Sequence, residues 1–301
     1  MSTPRPTLHH RPLATATLLA LALASAATPL VAEEGGMHVI TTIEASAEVR
    51  DEADIGDGGA TLGRTGAGVE GTVVVLIDER WTAWIRMDAQ VLDYDLSGSG
   101  VEGLLDTAGS LDTRIGVDYG LDATWGIVAE VGRAVAADLD SDGKDASSTI
   151  LSAGARWRPH DRLQAIVGVT AAIGMEDTVL YPLIDLAWRP SDVFSVTIRG
   201  GEATVAHGLG ERWDLFLTAA YDARQFRLDE AGTLPRGHLE ETTVPVGAGI
   251  AWRPTDSLRI TAAGGATVWG EITVLDADDD EVLSEELGSA AFATVSVVWN
   301  F

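Results

Sequence analysis

Asp138-Leu139-Asp140-Ser141-Asp142-Gly143-Lys144-Asp145 has the D-x-D-x-D-G spacing that opens a Ca²⁺ loop. Alternate carboxylates in such a run converge on one hard cation, and the Gly permits the sharp turn. The twelfth position is Thr149 rather than Glu, so the bidentate ligand is missing. Asp276, Asp278 and Asp280 repeat the spacing without the Gly. The expectation is a solvated acidic loop in which Asp138, Asp140 and Asp142 hold Ca²⁺ weakly if at all. No other cofactor is expected.

Residues able to do catalysis are scarce. Past residue 32 the chain has four His: His38, His160, His207 and His238. No Gly-x-Ser-x-Gly elbow, phosphate loop, dinucleotide fingerprint or H-E-x-x-H is present. Ser195 with His207 is the one Ser–His pair that adjacent strands would bring near each other, and it reads as an ordinary strand Ser and rim His. The chain contains no Cys, which removes disulfides, thiolate metal sites and Cys nucleophiles. A net charge of −26 argues against nucleic acid as a partner, because a polyanion is repelled. The sequence does not read as an enzyme.

Charges of both signs recur at alternate positions within otherwise apolar runs. Arg86, Asp88, Asp112, Arg114, Asp118, Glu130, Arg156, Asp185, Arg199, Asp214, Asp222 and Arg224 all fall on the polar phase, as do Glu44, Glu48 and Glu202. Such a face either lines a hydrated pore and sets its solute preference or closes a lumen with salt bridges.

The elements that hold these charges are long strands. Trp81, Ala83, Ile85, Met87, Ala89 and Val91 alternate with Thr82, Arg86, Asp88 and Gln90. Leu163, Ala165, Val167, Val169 and Ala171 do the same against Gln164, Gly168 and Thr170. Trp213, Leu215, Leu217, Ala219 and Tyr221 form a third case. A period of two means one apolar and one polar face. Runs of about 9–12 residues match membrane-spanning strands rather than the five or six of soluble sheets. No run of about 18 apolar residues suggests a spanning helix in the mature chain.

Connections alternate in kind. Trp157-Arg158-Pro159-His160-Asp161, Trp188-Arg189-Pro190-Ser191-Asp192 and Trp252-Arg253-Pro254-Thr255-Asp256 are three copies of one short turn. Pro presets φ, and Asp can accept from turn amides. Asp78-Glu79-Arg80, Gly120-Leu121-Asp122 and Gly208-Leu209-Gly210-Glu211 are further short turns, each followed closely by Trp. The other connections, 51–64, 93–109, 135–147, 227–241 and 275–288, are longer and acidic. Short turns at one rim, long loops at the other and an aromatic girdle are the pattern of an outer-membrane barrel. The fold expected is an all-β, transmembrane, antiparallel up-and-down barrel of about fourteen strands. The alternative is twelve, because 193–207 offers only two short segments meeting at Gly200-Gly201.

Residues 1–32 read as a signal peptide and 33–301 as the barrel. Arg5 and Arg11 precede the apolar stretch Leu13 to Ala27, and small residues offer cleavage after Ala27 or Ala32. Trp299 and Phe301 end the chain on the apolar face of a last strand, the form of signal expected for barrel-assembly machinery. Both termini are then periplasmic, and outer-membrane lipid is the surrounding partner.

From about residue 150 the chain resembles a family of bacterial outer-membrane β-barrel proteins of unknown function. Leu186-Ala187-Trp188-Arg189-Pro190-Ser191-Asp192, Phe226-Arg227-Leu228, Val244 to Pro254 and the stretch from Gly264-Gly265 to Asp276-Ala277-Asp278 carry the likeness. These are strand and turn motifs, so the resemblance implies architecture and transfers no catalytic residue. The function expected is a passive channel for small polar or cationic solutes. The alternative is a non-conducting structural or surface-binding barrel with acidic outer loops.

Overall fold

In the computed structural model, residues 37–98, 101–139, 146–174, 178–229 and 234–301 are described. They form sixteen strands. The first eight are β1 (His38–Ile55), β2 (Ala60–Leu76), β3 (Trp81–Ser97), β4 (Thr107–Gly120), β5 (Trp125–Asp138), β6 (Ser147–His160), β7 (Leu163–Gly174) and β8 (Thr178–Ser191). The rest are β9 (Phe194–Arg199), β10 (Glu202–Leu209), β11 (Trp213–Ala220), β12 (Asp222–Arg227), β13 (His238–Trp252), β14 (Leu258–Leu275), β15 (Glu281–Glu286) and β16 (Ala291–Asn300). β11 and β12 are halves of one stave broken at Tyr221, and β15 and β16 are halves of another. The result is a closed antiparallel barrel of fourteen staves, sealed where β1 pairs with β16. The weak region resolves as two real strands, β9 and β10, so the count is fourteen rather than twelve.

Alternation explains the outer surface. Ile115 (54%), Val167 (62%), Leu217 (63%) and Val295 (51%) are apolar yet exposed around the wall. A continuous band of such side chains is stable in lipid and unstable in water. Trp81, Trp125, Trp157, Trp188, Trp213, Trp252 and Trp299 ring the barrel at the tight-turn rim. Trp213 stacks on Trp252, and Trp125 tilts against Trp157. The turns themselves are held as their residues suggest. Asp78 accepts from the amides of Arg80 (2.7 Å) and Trp81 (2.8 Å), and Asp122 accepts from Thr124 (2.7 Å) and Trp125 (2.8 Å).

The opposite rim departs from expectation. Much of what reads as long acidic loop is strand. β1 runs to Ile55 and β2 restarts at Ala60, β3 runs to Ser97, and β14 runs to Leu275 before β15 returns. In β3 the reason is visible. Ile85, Met87 and Val91 face out, but beyond Val91 the apolar phase passes to Leu92 (3%), Tyr94 (6%) and Leu96 (7%), which face in. The period of two never stops; only the polarity of the two faces exchanges, and a local reading takes that exchange for a strand end. These extensions close over one another. β12 turns off the wall after Tyr221 and meets β5 in a parallel bridge, Arg227 to Ala137, while Ile55 bridges to Leu287. The enclosed core is dry and includes Leu62, Leu105, Leu239, Ile272 and Val274, each 0–1% exposed.

Candidate site in the barrel lumen

Strand register lines up four carboxylates. Glu44 lies opposite Glu70, Glu70 opposite Asp88, and Asp88 opposite Asp112, across β1 to β4. All four face inward. Directly opposed residues sit about 4.5–5.5 Å apart at Cβ, and like charges there are destabilising. The row beside it holds Arg86 opposite Arg114. The two rows are partly stitched together. Arg114 forks onto Asp112 (Nη2 to Oδ2, 2.6 Å) and reaches Glu130 (3.3 Å), while Arg86 approaches Glu70 at 3.7 Å. Trp84 donates its Nε1–H to Glu130 at 3.3 Å. A Cβ at Gly116 would strike that indole ring, so glycine is what lets it lie across β4. Asp88 receives the Gln90 amide at 3.1 Å. Five carboxylates against two guanidiniums leave this wall negative, an arrangement able to concentrate cations.

A second charged layer lies where the polar lumen meets the dry core. Arg64 Nη1 bonds Glu241 at 2.6 Å, Arg50 bonds the other Glu241 oxygen at 2.7 Å, and the Tyr94 hydroxyl donates to Glu241 at 2.8 Å. Arg64 also reaches Glu48 at 2.9 Å, and Arg224 bonds Asp222 at 3.0 Å. Three positive and three negative groups balance, so this layer offers a cation no net attraction. Asp222 and Arg224 belong to this balanced layer. Near the tight-turn rim, Asp118 pairs with Arg156 (2.7 Å) and Asp214 with Arg253 (2.9 Å). Asp185 and Arg199 share the inward face by register.

Glu70, Arg50, Arg64 and Glu241 escape the sequence reading. Glu70 sits in a Gly-rich strand whose alternation is faint, Arg64 and Glu241 lie in stretches taken for loop, and Arg50 falls just before the first of them. Tyr94 carries the missing signal, an aromatic in phase with Leu92 and Leu96.

The remaining candidates are placed as follows. Asp138 is 9% exposed at the end of β5, while Asp140 and Asp142 lie outside the described residues, as do residues 1–36. Asp276 uses its carboxylate on the amides of Asp278 (2.9 Å) and Asp280 (3.1 Å), so it holds a turn. Among the described residues no group of three His, Cys, Asp or Glu is placed to hold a metal. Ser195 and His207 fall on opposite faces of the wall, since His207 pairs with Phe194 and Ser195 with Ala206. Trp299 stacks on Phe301 with ring centroids 5.4 Å apart, and the Phe301 amide donates to the Thr41 carbonyl at 2.9 Å.

No protein-family model and no curated protein matches this chain. Solved structures similar to it are outer-membrane barrels. An outer-membrane channel from Pseudomonas putida F1 has 11% identity and a TM-score of 0.47, covering 91% of this chain and 100% of its own. A Pseudomonas aeruginosa FadL homologue has 13% identity and a TM-score of 0.46, covering 87% and 90%. The translocator domain of the autotransporter NalP from Neisseria meningitidis has 14% identity and a TM-score of 0.35, covering 96% and 97%. Similarity this distant transfers no property to the present chain.

Proposed function

We infer that the protein is a passive outer-membrane channel for small polar or cationic solutes. The observation that carries this reading is the inward carboxylate row Glu44, Glu70, Asp88 and Asp112. Opposed like charges cost stability, so a wall that keeps four of them serves something other than folding. A cation passing the row relieves the repulsion, and the weak, multi-point attraction lets it leave again. The tight-turn rim with its Trp girdle faces the periplasm, and both chain ends lie there. Trp299 and Phe301 act as the assembly signal. The strand and turn motifs after residue 150 support membership of the outer-membrane barrel family of unknown function.

The dry core above Arg64 and Glu241 favours a second reading, a non-conducting structural barrel. Planar-bilayer recording of refolded mature protein separates the two. A reversal potential showing cation preference, reduced in Glu70→Gln with Asp88→Asn, is the expected result. Silence from protein that is heat-modifiable, and therefore folded, decides for the structural barrel; anion preference overturns the carboxylate argument.

A further inference from the structure

The shortest part of the wall is the β9–β10 hairpin. β9 has six residues and turns at Gly200-Gly201, both in the left-handed region (φ 57° and 88°). Six residues make about 20 Å of strand, or about 15 Å of height at a tilt of about 40°. The apolar band of such barrels is about 25 Å tall, so the hairpin stops well inside it. Among the described residues, neither neighbour closes the space above. β12, the continuation of β11, swings inward to β5. β8 continues upward from its last pairing with β9, Leu186 to Ile198. Beyond that point, among the described residues, its strand partner is β7 alone.

Burial agrees with that topology. Thr178, Val179, Leu180, Tyr181 and Pro182 are exposed in succession, so both faces of the upper half of β8 meet open space. Tyr181 and Val179 point inward, opposite Thr170 and Ala172. An open strand edge at this depth is tolerated only where it borders a wet cavity, which places the lumen behind it. Pro182 lacks an amide proton and breaks up the edge, which argues against a further strand pairing there.

The geometry points to a side portal above Gly200-Gly201, framed by Tyr181 on β8 and Tyr221 at the stave break, through which a single-chain cationic amphiphile passes between lumen and bilayer. The polar lumen takes the head group and the gap leads the tail into lipid. The cationic head rests on the channel reading above; the portal itself rests on wall topology alone.

The test places a benzophenone side chain at single positions in full-length mature protein refolded into phosphatidylcholine vesicles. Ile184, which faces lipid, should give acyl-chain adducts on irradiation, and Gln90, inward on the sealed side, should give none. Tyr181 and, as a second position, Val179 should give adducts that fall at least fivefold when dodecyltrimethylammonium is added. Tetramethylammonium, which has the head without the tail, should leave the adducts unchanged. Absence of adducts at both inward positions while Ile184 reacts overturns the portal. Adducts that neither cation displaces retain the portal and overturn its assignment to a cationic amphiphile. A silent planar bilayer with adducts and their displacement intact is the failure of the channel reading instead.

Discussion

Arg64 and Glu241 are separated by 177 residues in sequence and joined at 2.6 Å, each side chain 1% exposed. Two extended staves thereby share one buried charge layer. Glu241 also neutralises Arg50, so Glu241→Gln leaves a buried positive excess. Removing one side of a buried ion pair costs about 3–5 kcal/mol. We expect a loss of that size in urea unfolding of detergent-folded protein, with Glu241→Gln plus Arg64→Met recovering a large part by restoring the balance. A single variant as stable as the parent would show that the layer is not desolvated.

Asp88 faces like charge on both sides, Glu70 and Asp112. Asp88→Asn should therefore stabilise the barrel, by about 0.2–1 kcal/mol for each opposed pair. The gain should shrink in high salt, which screens the repulsion in the variant's parent. A lower urea midpoint for Asp88→Asn at low ionic strength would contradict the proposed repulsion.

Leu217 is 63% exposed and lies four residues above Trp213, about 10 Å up the wall by strand rise and tilt. Near the bilayer midplane, Leu217→Arg should cost about 2–4 kcal/mol. Thr218→Arg, one residue on and facing the lumen, should cost much less. Equal costs would mean that the wall does not face lipid.

Asp122 is fully exposed in a turn, where the amides of Trp125 and Thr124 hold its carboxyl below the ordinary value of 3.8. A depressed carboxyl contributes stability above its unfolded value, and the contribution is lost as pH falls through the folded one. Comparing the parent with Asp122→Asn between about pH 5 and about pH 2 should show a difference that fades with acid. A difference that is constant with pH would assign the turn's stability to shape rather than charge.

Deleting Phe301, or combining Trp299→Ser with Phe301→Ser, should lower insertion into the outer membrane with little change in export. The stacked pair also ties the last strand beside Thr41, so in vitro refolding of the same variants separates assembly from stability. Normal levels of heat-modifiable barrel in cells would show the terminal aromatics to be incidental.

Barrel architecture is legible because each stave carries it locally. The alternation around Val167 or Leu217, the Asp78 and Asp122 turns, and the Trp beside each turn need only neighbouring residues to be recognised. What lies across the wall is not local. Whether Glu70 meets Asp88 depends on register, and a slip of one residue would turn either side chain outward. The upper half of the molecule depends on closure as well. The exchange of faces at Val91 and Leu92 looks like a strand end until β12 crosses to β5 and gives Leu92, Tyr94 and Leu96 a dry interior to face. The sequence by itself determined the staves, their turns and the membrane belt. Tertiary structure alone decided the carboxylate row and the pairing of Arg64 with Glu241, because stagger and closure are properties of the whole ring of hydrogen bonds.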